Sequence, residues 1–347
     1  MNPKLTLSVV FVCVVQFLFA QTDTTSEDFK FFISGFTKEG LKDYSGAIAD
    51  YTKAIKLNPR NENAYYSRGM SKEELKDYYG AIDDYTKVTE LDNKDYNAYT
   101  SRASVKEKLN DFSGAIEDYT KAIEIKPDYA LAYSSQAGAK EKLNDYSGAI
   151  EDYTKAIKIE PDYANTYSSR AKAKLKINDY AGAIQDYTKV IAIGEVGPFY
   201  YYNYGFRGRA KIELKDYYGA VADFTKEIEM NPDDAIGYYY RGNAKKKLKD
   251  NSGAILDYTK AIELNINFAD ETYFNRAIAK GNLKDYYGVI ADCTKVIELN
   301  INYTDAFILR GIVKDTLGDN NSSCEDFKKA CELGSDTGCN LLKMSCK

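Results

Sequence analysis

The chain has 347 residues, with 47 Lys and Arg against 52 Asp and Glu, 32 Tyr, and neither His nor Trp. A nucleic-acid-binding surface is clearly basic, so a formal net charge of −5 argues against nucleic acid as a partner. The absence of His removes the most common general base and the most common metal ligand from any candidate site.

The N-terminus has the composition of a secretory signal peptide. Lys4 precedes a mostly apolar run from Leu5 to Phe19. A run of about 15 residues suits a signal peptide and is too short to span a bilayer comfortably. We therefore predict a signal peptide over residues 1–20, cleaved after Ala20, and a polar linker over 21–27. The mature chain is then expected in the periplasm, the cell envelope or the extracellular space, without stable membrane insertion; the alternative is an uncleaved anchor.

One stretch, DYSGAIEDYTKAI at Asp145–Ile157, recurs along most of the chain. Its opening Asp returns after 34 residues in six of eight intervals, and after 37 and 35 residues in the other two. A fixed period of this size is typical of stacked helical repeats. With the opening Asp as position 16, the nine repeats span 28–61, 62–95, 96–129, 130–163, 164–197, 201–234, 235–268, 270–303 and 304–337.

Each repeat contains two apolar patterns with helical spacing. The first has an aromatic residue at position 4, Gly or Ala at position 8 and an aliphatic residue at position 14. The second favours Ala at 20, Ile at 21, an aromatic at 24 and small residues at 27, which lie on one face of a helix. The connection between them is short, so the two helices are expected to be antiparallel neighbours. The opening Asp is the expected N-cap of the second helix.

This pattern resembles the tetratricopeptide repeat family over about 310 residues. The third repeat shows most of the family's signature in Tyr99, Ala103, Phe112, Ala115, Tyr119, Ala122 and Pro127. The resemblance implies an all-α fold, a right-handed superhelical α-solenoid of about nine 34-residue helix-turn-helix repeats. A capping helix is expected to follow over 338–347.

Charged residues recur at three positions of the repeat. Position 23 is Asp and position 11 is Lys in all nine repeats, and position 7 is Arg in seven of them. A catalytic group is normally needed once, in one special environment, so a regularly repeated feature is interpreted as structural. We predict that each position-7 guanidinium lies within salt-bridge distance of a position-23 carboxylate.

The repeat is least regular over 194–206, where we predict an irregular joint. Three extra residues, 198–200, stand between the fifth and sixth repeats, and Pro198–Phe206 contains six aromatic residues. The sixth repeat also has Glu227 at position 27, where the others have Ala or Val. These departures predict a looser interface between neighbouring repeats at this point.

The resemblance implies that positions 2, 5, 9 and 12 of the first helices line a concave groove. The resulting candidates for partner contact are Tyr66, Met70, Thr100, Tyr202, Tyr239, Asn243, Phe274 and Ile278. Repeats six to eight are the richest in aromatic residues, which are typical anchors for a peptide or a sugar. The alternative is that these rings pack between repeats.

Four cysteines, Cys324, Cys331, Cys339 and Cys346, lie in the last 24 residues. Seven residues along a helix correspond to about 10.5 Å, too far for a disulfide within either helix. A turn over 334–338 would make an antiparallel hairpin that pairs Cys331 with Cys339 and Cys324 with Cys346. Oxidation is expected after export. A zinc site, which lacks CxxC spacing here, and free thiols are the alternatives.

These observations predict a non-enzymatic scaffold that binds a protein or peptide outside the cytoplasm. No catalytic residue, cofactor or metal ligand is predicted, because the sequence has no phosphate-binding Gly-rich loop, Ser-His-Asp set or metal triad. The alternative is a glycan-binding module that uses the aromatic groove of repeats six to eight.

Overall fold

The structure, a computed structural model, describes residues 26–194 and 200–346. The predicted signal peptide, residues 21–25 of the linker and residues 195–199 of the joint lie outside these ranges. The described residues form nineteen helices and no strand, so the predicted all-α helix-turn-helix repeat fold is confirmed. None of these helices is long and apolar enough to cross a membrane.

Each repeat contributes one odd-numbered and one even-numbered helix. The first helices are α1 (Glu27–Gly40), α3 (Glu62–Glu74), α5 (Tyr96–Lys108), α7 (Ala130–Lys142), α9 (Ala164–Lys176), α11 (Tyr202–Glu213), α13 (Ala235–Lys247), α15 (Ala269–Asn282) and α17 (Thr304–Thr316). The second helices are α2 (Tyr44–Leu57), α4 (Tyr78–Leu91), α6 (Phe112–Ile125), α8 (Tyr146–Ile159), α10 (Tyr180–Ile193), α12 (Tyr217–Met230), α14 (Asn251–Glu263), α16 (Tyr286–Leu299) and α18 (Asn320–Glu332). A last helix, α19 (Asp336–Ser345), follows the ninth repeat.

The chain forms two compact bodies that divide between Thr166 and Tyr167, within α9. In the N-terminal body, consecutive helices pack against each other from the pair α1–α2 through the pair α7–α8. In the C-terminal body the same is true from α10 to α19. Packing between sequence neighbours is what a repeat array requires, because no single helix pair can bury its own apolar face.

The second helix of every repeat begins at the predicted cap. The capping carboxylate accepts a hydrogen bond from the backbone N–H three residues later, at 2.9 to 3.2 Å. The nine caps are Asp43, Asp77, Asp111, Asp145, Asp179, Asp216, Asp250, Asp285 and Asp319. In eight repeats the donor is Gly, and a Cβ there would overlap the carboxylate, as at Gly46 beside Asp43. Close approach of the cap therefore explains the recurrent Gly.

The repeats are built around the ring at position 24. The side chains at position 24 are between 0% and 4% exposed in all nine repeats. In the eighth repeat this residue is Cys293, and in the others it is Tyr or Phe. Each ring packs against the small residue at position 8: a Cβ at Gly69 would lie 3.0 Å from Tyr85, and one at Gly311 only 2.6 Å from Phe327. Small residues at position 8 thus let the two helices of a repeat approach each other.

The last helix begins two residues earlier than predicted. Gly334 turns the chain with a φ of +88°, and the Ser335 hydroxyl caps α19 by accepting from the N–H of Gly338 at 3.2 Å. Two disulfides join α19 and Cys346, which follows it, to α18: Cys324–Cys346 and Cys331–Cys339, with Cα–Cα distances of 5.7 and 4.5 Å. The final helix is therefore attached covalently to the ninth repeat.

Candidate functional site

The recurrent charges form the predicted ion pairs in all seven repeats that have Arg at position 7. In the second repeat, Arg68 Nη2 lies 2.6 Å from Asp84 Oδ1, and Lys72 Nζ lies 2.8 Å from Asp84 Oδ2. The Asp84 side chain is only 4% exposed. The equivalent pairs are Arg102–Asp118, Arg170–Asp186, Arg207–Asp223, Arg241–Asp257, Arg276–Asp292 and Arg310–Asp326. The prediction of an ion-pair ladder is confirmed.

The arginines also join neighbouring repeats. Arg68 Nη1 donates to Thr52 Oγ1 of the preceding repeat at 3.0 Å, and its guanidinium carbon lies 5.5 Å from the centre of the Tyr65 ring. In the fourth repeat Gln136 replaces Arg and still donates to the preceding repeat's Thr120, at 2.7 Å. The charges of this ladder are satisfied by one another, so they hold the scaffold and leave no reactive group free.

A concave pocket opens in the N-terminal body, where two of the predicted groove residues meet. Its volume is about 330 Å³. Three successive first helices contribute to it: α3 through Tyr66 and Glu73, α5 through Thr100 and Glu107, and α7 through Leu131. The remaining lining residues are Asn97, Ser101, Ser104, Tyr119, Tyr129 and Ser135. No single repeat forms this site, because its walls come from the second, third and fourth repeats.

Hydrogen bonds fix the walls of this pocket. The hydroxyl groups of Tyr66 and Ser101 lie 2.8 Å apart and link the second repeat to the third. Tyr85 Oη donates to Glu73 Oε2 at 3.2 Å, and Tyr119 Oη donates to Glu107 Oε2 at 3.3 Å. The pocket is therefore lined by oriented hydroxyl groups and two carboxylates.

The two carboxylates belong to a row that sequence reasoning missed. Position 12 is Glu in the first four repeats and in no later one: Glu39, Glu73, Glu107 and Glu141. The sequence did contain a signal for this row, since each of these four repeats also has Tyr at position 24. In the first three of them the Tyr hydroxyl donates to the Glu carboxylate. Burial raises the pKa of Glu39 and of Glu107 above the usual value, while the tyrosine hydroxyl acts in the opposite direction.

The other predicted groove residues do not form an open aromatic surface. Tyr239 is only 5% exposed, so its prediction as an accessible contact is wrong. Its ring packs edge-on against Phe268, with centroids 4.8 Å apart, and its hydroxyl donates to Glu271 at 2.5 Å. Neighbouring residues therefore bury the Tyr239 ring, although its position in the repeat predicted that it would line the groove.

The five remaining candidates have mixed environments. Asn243 is half-buried and accepts from Tyr258 Oη at 2.7 Å, while Phe274 packs against Tyr303 at 5.0 Å. Ile278 is half-buried, and Met70 in the N-terminal body is 42% exposed. Tyr202 is the most accessible aromatic candidate at 39%, with its ring centroid 4.3 Å from that of Tyr201.

Glu227, the irregular residue of the sixth repeat, is buried with 4% exposure. A Cβ at residue 205 would overlap its carboxylate, and one at residue 237 would lie 3.2 Å from it, so Gly205 and Gly237 leave the space it fills. Burial, with the charge of Asp234, raises the pKa of Glu227 to about 8. Asp234 Oδ2 is itself buried without a hydrogen-bond partner in the described part of the chain.

The described residues contain no metal-binding cluster, and their free thiol is buried. No group of three or more Cys, Asp and Glu side chains in 26–194 and 200–346 is arranged to hold a metal ion. Four of the cysteines are in disulfides, and Cys293 is a buried free thiol whose pKa burial raises to about 12. A thiol with a pKa that high is a poor nucleophile at neutral pH.

Three features define a helical-repeat protein: paired antiparallel helices, small residues that face the position-24 rings, and a groove along the first helices. Family profiles for the tetratricopeptide repeat match this chain over 41–75, 62–95, 96–129 and 142–178. Over these residues the chain consists of tetratricopeptide repeats. Its repeats support a role as a protein–protein interaction scaffold, and proteins of this family are generally not catalytic.

Solved structures with similar folds include several repeat proteins. MamA is 26% identical, with 46% of this chain and 93% of MamA covered and a TM-score of 0.45. A tetratricopeptide repeat protein from Parabacteroides merdae ATCC 43184 is 18% identical, with 74% and 97% covered and a TM-score of 0.49. The Cut9–Hcn1 hetero-tetramer of APC/C is 13% identical, with 92% and 76% covered and a TM-score of 0.46. No curated protein sequence matches the chain.

Proposed function

We propose that this protein is a non-enzymatic scaffold that binds a protein or peptide partner in the groove of its N-terminal body. The observation that carries the proposal is the pocket of about 330 Å³ that is lined by α3, α5 and α7, together with Tyr119 of α6 and Tyr129. A site assembled from successive repeats can follow an extended segment of a partner, which is what stacked repeats offer and a single domain does not.

The ion-pair ladder supports this function by keeping the groove rigid. In the third repeat, Arg102 holds Asp118 within the repeat and donates to Thr86 of the preceding repeat at 3.0 Å. Helices held in this way present groove side chains in fixed positions, which lowers the entropy lost when a partner binds.

The proposal includes a location outside the cytoplasm. The two disulfides support it, since disulfides persist in oxidising compartments and are rare in reducing ones. The N-terminal sequence, with its apolar run after Lys4, is the second support.

Glycan binding in repeats six to eight stays an alternative prediction without a specific structural support. Of the three candidate rings there, Tyr239 and Phe274 pack against other aromatic rings at 4.8 and 5.0 Å, and the 39% exposed Tyr202 ring lies 4.3 Å from that of Tyr201. A sugar needs an accessible ring face on which to stack.

Site-specific photo-cross-linking in the cells that produce the protein tests the proposal. A benzophenone amino acid at Thr100 lies in the pocket, and one at Glu117 lies on the exposed face of α6 in the same repeat. We expect a discrete cross-linked partner from residue 100 and none from residue 117. Identical products from both positions, or none from residue 100, would contradict groove binding.

A further inference from the structure

The Glu107 carboxylate has unused capacity to accept hydrogen bonds. It lies on α5, half-buried in the pocket, and accepts a hydrogen bond from Tyr119 Oη at 3.3 Å. Among the described residues, no Lys or Arg nitrogen lies within 4.0 Å of it, and Lys142 acts on it only through a longer-range charge interaction. A carboxylate can accept about four hydrogen bonds, so most of its capacity is open to a ligand.

The rest of the lining favours a cation over an anion. Two carboxylates, Glu73 and Glu107, contribute to the pocket, and none of its lining residues is Lys or Arg. The other walls are hydroxyl groups, which can accept from an ammonium, and the Tyr66 and Tyr129 rings, whose faces attract one. An anionic ligand would meet the Glu107 carboxylate, which has no ion-pair partner among the described residues, in a partly desolvated cavity.

The chain itself shows how an ammonium group binds at this surface. Lys108 Nζ, at the end of α5, lies 2.6 Å from Glu73 Oε1, the position-12 carboxylate of the preceding repeat. Lys126 Nζ lies 4.6 Å from the centre of the Tyr96 ring and 5.2 Å from that of Tyr129. Both types of wall therefore already hold a lysine ammonium at the edge of the pocket.

We propose that this pocket binds a lysine side chain from a basic segment of the partner, with Glu107 as its counter-ion. The inference rests on the proposed groove-binding function and adds the chemistry of the partner. Lysine fits better than arginine because both internal examples, Lys108 and Lys126, present a compact ammonium.

A labelled synthetic peptide tests the charge preference directly. A fluorescein-labelled dodecapeptide of alternating Ala and Lys is titrated against the full chain in about 0.15 M salt, where distant surface charges are screened. The comparison probes are the matching Ala and Glu peptide and a neutral hexasaccharide of N-acetylglucosamine. We expect saturable binding of the lysine peptide alone, measured by fluorescence anisotropy, or by calorimetry for the unlabelled sugar.

Three variants locate the site. Glu107→Gln keeps the acceptor for Tyr119 and removes the charge, and we expect it to weaken lysine-peptide binding by about tenfold or more. Glu117→Gln removes an equal charge from an exposed position of the same repeat and is expected to change binding by less than about twofold. Leu131→Lys, at a pocket residue that is 54% exposed, is expected to block the site without a folding defect.

Two sets of results separate this inference from the proposed function. Equal weakening by Glu107→Gln and Glu117→Gln, or binding of the sugar or the glutamate peptide instead, would overturn lysine recognition. If residue 100 still cross-links to a partner, groove binding stands and only its charge preference falls. Absence of both the cross-link and lysine-peptide binding would overturn both.

Discussion

Arg102 donates two hydrogen bonds to Asp118, at 2.8 Å from Nε to Oδ2 and 2.6 Å from Nη2 to Oδ1. The Asp118 side chain is 5% exposed, and Lys106 Nζ lies 2.8 Å from its second oxygen. One buried carboxylate thus balances two cations in the third repeat. Removing it leaves both cations without their counter-charge.

We expect Asp118→Ala to lower the free energy of unfolding by about 3 to 5 kcal/mol, since it breaks a buried ion pair on one side only. Arg102→Gln copies the arrangement of the fourth repeat, where Gln136 retains the bond to the preceding Thr. That variant is expected to cost less. Urea unfolding followed by circular dichroism measures both; an Asp118→Ala variant as stable as the wild type would contradict the structural role of the ladder.

Tyr187 provides a test at position 24 of the fifth repeat. Its hydroxyl is buried with no hydrogen-bond partner in the described residues, because Leu175 stands where earlier repeats have the accepting Glu. We expect Tyr187→Phe to be neutral or to stabilise by about 1 kcal/mol, since it removes a buried, unsatisfied group. Tyr85→Phe, which loses the bond to Glu73, is expected to destabilise by about 1 kcal/mol. Equal effects in urea unfolding would contradict the assignment.

Glu227 makes stability depend on pH. Its folded pKa of about 8 lies above its usual value of 4.5, because it is buried beside Asp234 and Asp223, with Arg209 in partial compensation. Because the folded state holds the Glu227 proton more tightly than the unfolded state does, this group contributes stability to the fold. That contribution is complete below about pH 4.5 and is lost as pH rises through about 8.

We therefore expect the wild type to lose on the order of a few kcal/mol between pH 5 and 8.5, relative to Glu227→Gln. The Gln variant keeps the shape of the side chain and cannot ionise, so other titrating groups cancel in the comparison. Urea unfolding at both pH values measures the difference. Parallel pH curves for the two proteins would show that the carboxyl is not protonated in the folded state.

The two disulfides predict a local effect on stability. The unreduced protein should be about 4 Da lighter than the reduced one, because each disulfide removes two hydrogens. Replacing Cys324 and Cys346 by Ser opens a link between residues 22 apart and is expected to cost about 3 kcal/mol in the ninth repeat. Hydrogen exchange should increase in α18 and α19 and remain unchanged in the N-terminal body, since repeats stabilise mainly their neighbours.

Features set by local spacing could be predicted from the sequence. The helix pairs, the Asp caps and the Arg–Asp ladder depend on residues of one repeat, and nine copies make their pattern unambiguous. The Cys331–Cys339 and Cys324–Cys346 pairs follow from helical geometry and a turn in the same way. Each of these needs only one helix and its immediate neighbour.

The candidate site was less predictable, because burial depends on which neighbours each repeat supplies. Tyr239 occupies a groove position by number, yet Phe268 and Glu271 enclose its ring and hydroxyl. Glu107 was missed because glutamates on helices are usually solvated, and only the pocket distinguishes it. Its coincidence with Tyr119 at position 24 was visible in the sequence, although the hydrogen bond between them required the structure.

The bond from a position-7 side chain to the preceding Thr has an evolutionary consequence. In the second repeat, 62–95, Arg68 donates to a Thr of the preceding repeat, and Thr86 accepts from the Arg of the following repeat. Duplication or deletion of a 34-residue block within this array would therefore recreate a complete junction at once. The repeat array can therefore change length in whole steps, while the side chains that line the pocket vary separately.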